Sequence, residues 1–90
     1  MDKNIPLSEL IRIGAKQTKQ CVRALVKDGA TCAFGAAILA KTGELPTGKE
    51  IITIEFPTTP VSVVDTVINL NDNEGRTREQ IADWLECRGL

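Results

Sequence analysis

Gly29-Ala-Thr-Cys-Ala-Phe-Gly-Ala-Ala-Ile-Leu-Ala-Lys-Thr-Gly43 is the stretch whose reading decides the fold. It predicts a helix packed at close range. Thr31 suits an N-cap, because its hydroxyl can accept from an orphan N–H of the first turn. Gly43 follows the last good helix former and suits a left-handed C-cap. Ala33, Gly35, Ala36, Ala37 and Ala40 are small, so another backbone can approach closely. Gly35 gives up about 1 kcal/mol of helix propensity relative to Ala, which tight packing would offset. Phe34, Ile38 and Leu39 supply bulky contacts, and the run is too short to span a bilayer.

Ninety residues allow one domain, 1–90, with a single small core. A core of that size leaves little surplus stability, so self-association is a natural expectation. The formal net charge of −1 and an aromatic content of 3% count against nucleic-acid binding, which draws on clustered cations and stacking rings. The chain has no His, which removes the commonest general base and the commonest metal ligand. Cys21, Cys32 and Cys87 are widely spaced and odd in number. Met1-Asp-Lys-Asn4 has neither the basic nor the apolar part of a signal peptide. Free thiols in a cytoplasmic setting are therefore expected.

Outward from the central helix, Pro6 and Ser8 signal a first helix with Leu7, Leu10, Ile11, Gly14, Ala15 and Thr18 on one face. Gln17–Asp28 reads equally as a further short helix or as an extended segment. Asp28-Gly29 is a turn signal. Thr42–Gly48 is a loop, and Glu50–Phe56 is the one β-like run. Ser62–Leu70 reads as a helix. A last one opens at Thr77, with Gln80 at capping-box spacing and Ile81, Trp84 and Leu85 as its apolar stripe. The expected fold is mainly α: a small single-domain bundle of four to five short helices with one short β element.

Thr31-Cys-Ala-Phe-Gly-Ala-Ala37, Ile68-Asn-Leu-Asn-Asp72 and Thr77-Arg-Glu-Gln-Ile-Ala-Asp-Trp-Leu85 together resemble a group of small uncharacterised bacterial proteins. Those proteins carry a Cys-Ala-x-Gly-Ala segment and a Leu-Asn-Asp…Thr-Arg-Glu-x-Ile-Ala-Asp-Trp ending. The resemblance covers about two-thirds of the chain. It implies a self-contained domain and carries no activity, cofactor or partner.

Motifs that could bear chemistry are incomplete. Gly43–Lys49 matches seven positions of a P-loop, but Glu50 stands where Ser or Thr should bind magnesium. Aligning Gly75 with the glycine of a calcium loop puts Leu70 and Ile81 at ligand positions. Leu70–Leu85 has the outline of a helix-turn-helix, yet its second helix would carry Arg78, Glu79, Asp83, Glu86 and Arg88, and the three acids repel phosphates. Cys87-Arg-Gly-Leu90 has prenylation spacing without the aliphatic pair. Cys32 sits at a predicted helix start, where the dipole lowers a thiol pKa, although packing explains it as well. Trp84 reads as a core residue or an interface anchor.

The sequence therefore points to a small, non-catalytic intracellular interaction or regulatory module, with a protein partner or a second copy as its partner. No catalytic residue, cofactor, metal, membrane or small molecule is implied. The alternatives are a thiol-dependent enzyme or redox sensor using Cys32, and a helix-turn-helix DNA-binding regulator. A Cys32 thiol facing a cleft furnished with charged groups, or the Gly29–Gly43 segment open to solvent, would overturn the non-catalytic reading.

Overall fold

In the computed structural model, which describes residues 5–90, helix α2 (Ala33–Thr42) forms the centre. Its residues Ala33 to Leu39 are all buried, so neighbours surround its first two turns. Helix α1 (Leu7–Ala15) crosses one side and buries Leu7, Leu10, Ile11, Gly14 and Ala15. A β-carbon on Gly14 would overlap the Ala36 carbonyl, so the α1 and α2 backbones touch where they cross. On another side of α2, a β-carbon on Gly35 would overlap the Leu25 carbonyl oxygen. The small residues of the opening stretch thus do what their size predicts.

The segment leading into α2 is not helical. Strands β1 (Val26–Lys27) and β2 (Ala30–Thr31) form an antiparallel pair with Val26 opposite Thr31 and Lys27 opposite Ala30. Asp28 and Gly29 connect them at φ 52° and 81°, the backbone of a two-residue hairpin turn that suits Asp-Gly. Thr31 is also held from its other side. Its N–H donates to Lys19 O at 2.8 Å, and its carbonyl accepts from Cys21 N at 3.0 Å. Gln17–Asp28 is therefore neither a helix nor one extended segment: Gln20 bridges Thr31, Val26–Lys27 form β1, and the chain between them bends, with Arg23 at φ 62°.

The β element expected at Glu50–Phe56 does not form. Helix α3 (Ile52–Glu55) is a single turn there, and the strands lie at Val26–Thr31 instead. A strand needs a partner edge, whereas one helical turn closes its own bonds. Ile54 N and Glu55 N donate to Ile51 O, and Phe56 N donates to Ile52 O. Pro57 and Pro60 bound the turn, and helix α4 (Val61–Asp72) follows, slightly longer than the expected Ser62–Leu70.

Helix α5 (Arg78–Glu86) begins with the expected capping box: Thr77 Oγ1 accepts from Gln80 N, and Gln80 Oε1 accepts from Thr77 N. Its Ile81, Ala82 and Leu85 are fully buried and join Ile11, Phe34 and Val67 in one core. Arg12 of α1 reaches both Asp83 and Glu86 at 2.6 Å. The last residue returns to the first helix, where Ser8 N donates to Leu90 O at 3.2 Å. Five helices thus form among the described residues, and none is long and apolar enough to cross a membrane. The reading of Met1–Asn4 lies outside the described residues.

Two caps were open to test at α2. Gly43 takes the C-cap at φ 83° as expected. The N-cap is Cys32, not Thr31: its sulfur accepts from Gly35 N at 3.4 Å. Thr31 belongs to β2, and its hydroxyl is engaged elsewhere. Helix propensity alone would make Gly35→Ala stabilising by about 1 kcal/mol. The contact with Leu25 reverses that sign. Gly35→Ala and Gly14→Ala should each destabilise the fold by about 3 kcal/mol, read from urea unfolding midpoints. A gain in stability for either would refute the close approach.

Candidate functional site

The N-terminus of α2 faces α4, and a small polar cluster joins the two. Asn71, on the last turn of α4, is 1% exposed. Its Oδ1 accepts from Ala33 N at 3.2 Å and from Gln20 Nε2 at 2.9 Å. Its Nδ2 donates to Cys21 O at 3.0 Å and to Asp72 Oδ1 at 2.8 Å. One amide therefore caps α2, holds the Gln20–Cys21 segment and satisfies all its valences. Asp72 Oδ1 accepts in turn from Arg23 N at 2.9 Å, which fixes Arg23 in its left-handed backbone conformation.

Beside this cluster lies a cavity of about 180 Å³. Leu25, Cys32, Phe34, Ile52, Val67 and Ile68 supply its apolar walls, and Arg23 and Asp72 bring one charge of each sign. Cys32 thus does line a cleft with charged groups. That arrangement counts against the non-catalytic reading; the shift of the thiol pKa, opposite to that of an activated nucleophile, counts for it. Burial pushes the thiol pKa up, outweighing the stabilisation of a thiolate by the Gly35 and Phe34 amides, and Asp72 pushes it the same way. The Cys21 thiol is also raised, first by burial, and its S–H points to the Ala24 and Ala30 carbonyls. Cys87 is exposed, and all three thiols are free.

Arg78, the charged residue that follows the capping Thr77, is only 6% exposed. Its Nη1 donates to Thr18 Oγ1 at 2.8 Å and to Thr31 Oγ1 at 3.0 Å. Its Nη2 donates to the Ala15 carbonyl at 3.3 Å and to the Thr18 carbonyl. The guanidinium therefore sits on the carbonyl end of α1, where the helix dipole favours a cation. Burial lowers its pKa, and Nε has no partner. With Arg78 turned inward, the outer face of α5 shows Glu79, Asp83 and Glu86, the last two shared with Arg12. Trp84 is half-buried beside the core, with the Arg88 guanidinium 3.9 Å above its ring.

The remaining motifs take structural roles. In the loop that resembles a P-loop, the Glu50 carboxylate accepts from Thr47 N at 2.9 Å and Gly48 N at 3.0 Å. Those bonds, Thr47 first, lower its pKa. An acid built into the chain thus occupies the amides that a phosphate would need. In Asn69–Ile81, Asn71 and Asp72 are spent on the cluster described above. A broader hollow of about 700 Å³ opens between Leu7, Leu10 and Phe56. Its ammonium, Lys41, is bonded to the Glu55 carbonyl at 2.6 Å and lies 5.1 Å from the centre of the Phe56 ring.

Compared with known proteins, the chain matches no family model, no curated protein and no solved structure. The resemblance carried by Thr31–Ala37, Ile68–Asp72 and Thr77–Leu85 rests on those segments alone.

Two outcomes follow from this geometry. Asn71→Ala strands the Ala33 amide and the Cys21 carbonyl, and should lower stability by about 3 kcal/mol in denaturant titration. A loss below about 1 kcal/mol would show that water replaces the amide without penalty. The raised thiols give a pH dependence of defined sign. The unfolded chain releases its thiol protons near pH 8.5 while the fold retains them, so stability should fall as pH rises past that value. Replacing both Cys21 and Cys32 by Ala should flatten the decline, as followed by unfolding at pH 7 to 10.

Proposed function

We propose that the protein is a small intracellular interaction module that associates with a second copy of itself through the α3–α4 edge, and that it acts by binding rather than by catalysis. The observation that carries this reading is the exposure of apolar side chains there. Of six large apolar residues exposed among the described residues, four fall between 51 and 68. Ile51 is 58% exposed, Ile54 66% and Val61 63%. Ile51 precedes the α3 turn in an extended conformation, and Ile54 lies within the turn. No residue of α3 is fully buried. A turn with that composition contributes little to the fold of one copy.

Charge and size support a second copy as the partner. A net charge of −1 imposes almost no repulsion between copies. A chain of this length leaves roughly 40% of its unfolded surface exposed, and association adds burial that one copy cannot supply. The uses made of polar groups support binding over chemistry. Asn71 has its valences filled, Arg78 spends four of its five donors within the fold, and Cys32 keeps its proton. Three free thiols suit a reducing cytoplasm.

Sedimentation velocity over a concentration series tests the reading. The wild-type chain should show a concentration-dependent rise to twice the monomer mass. Ile54→Asp should abolish it and leave thermal stability at low concentration unchanged, since the residue is outside the core. A strictly monomeric wild type at about 1 mM would remove the proposal.

A further inference from the structure

We propose that the cavity between the Arg23–Leu25 segment, the start of α2, α3 and α4 binds a small uncharged aromatic or branched aliphatic molecule of about six to nine non-hydrogen atoms. Size sets the first limit. Its volume of about 180 Å³ is of the size that holds a benzene-sized molecule, although it opens to solvent on one side rather than being sealed. The walls set the second. Leu25, Phe34, Ile52, Val67 and the polarisable sulfur of Cys32 favour an apolar body, and sulfur–aromatic contact adds to it.

The polar groups at the cavity decide the charge of the ligand. Asn71 has no free valence to offer, so an occupant needs no matching donor or acceptor. Arg23 and Asp72 bring one charge of each sign to the lining, and the Asp72 carboxylate already accepts from Asn71 Nδ2 and Arg23 N. The rim is also built against backbone preference. Arg23 is a non-glycine residue at φ 62°, held by the Asp72 carboxylate. Such strain persists only where the surroundings enforce it.

Ile51, Ile54 and Val61 lie outside the cavity lining, but Ile68 belongs to both surfaces, so the titration is repeated on Ile54→Asp, which separates ligand binding from self-association. The full chain is titrated with toluene, indole and benzoate in turn, with amide NMR shifts as the readout. Toluene and indole should give saturable shifts centred on Cys32–Phe34 and Val67–Asp72, compete with each other, and bind with dissociation constants on the order of 1 mM or tighter. Benzoate should bind at least about tenfold more weakly than toluene. Alkylation of Cys32, but not of exposed Cys87, should slow as the site fills. Ala24→Leu, which fills the cavity from one wall, should abolish the shifts while the rest of the spectrum stays native. If that variant does not fold, Ile68→Trp closes the mouth from an exposed position and serves the same purpose. Non-saturating shifts scattered over the surface, unchanged Cys32 alkylation, or full binding by a folded cavity-filled variant would each overturn the proposal.

Discussion

Two carbonyl oxygens, of Ala36 and Leu25, lie where β-carbons on residues 14 and 35 would have to be. Most of the fold follows from that fact. Backbone can lie against backbone only where a side chain is missing, so Gly14 sets where α1 crosses α2, and Gly35 sets where the hairpin segment meets it. Once both contacts are made, Thr31 must lie alongside Lys19 and Cys21, and the Asp28-Gly29 turn must reverse tightly to bring it there. The core of Ile11, Phe34, Val67, Ile81 and Leu85 then closes around a helix already fixed on two sides.

Arg78 and Asn71 complete the arrangement from a distance. Each joins segments 47 to 63 or 38 to 51 residues away in sequence, and each replaces a backbone partner that the short elements lack. Burying a guanidinium away from any paired carboxylate carries a desolvation penalty, and here carbonyls and hydroxyls offset it. The Arg12 pairs with Asp83 and Glu86 are close but involve exposed acids, where water and salt weaken them. Between the two arginines, the buried one has far more influence on whether α5 can dock.

Local signals explain what could be read in advance. The C-terminal end of α2 and the start of α5 are legible in the sequence because Gly43, Thr77 and Gln80 act within one turn. The hairpin was signalled by Asp28-Gly29, but strands of two residues are too short for alternation to show, and the β-branched run at Glu50–Phe56 drew the assignment instead. That run lacks a partner edge, which no local pattern reveals. Thr31 is the better N-cap by propensity. It loses the position to Cys32 because the ladder and the hydroxyls of Thr18 and Arg78's guanidinium have claimed it. Asn71 and Arg78 gave no usable signal, since an Asn in a helix end and an Arg after a capping Thr are both ordinary on a surface. Their burial depends on partners that only the folded chain brings near.

The same backbone contact that fixes the fold also accounts for the cavity. Close-packed interiors ordinarily collapse into a void, as far as neighbouring segments can move. The Leu25 carbonyl already touches Gly35, so the Arg23–Leu25 wall cannot advance toward α2. Asn71 holds the opposite wall through Ala33 and Cys21, so α4 cannot slide inward without breaking its own cluster. Small side chains at Ala24 and Ala33 leave the space between them unfilled. A hollow bounded by two fixed walls is preformed, and a preformed apolar hollow requires little reorganisation from the protein when a ligand enters.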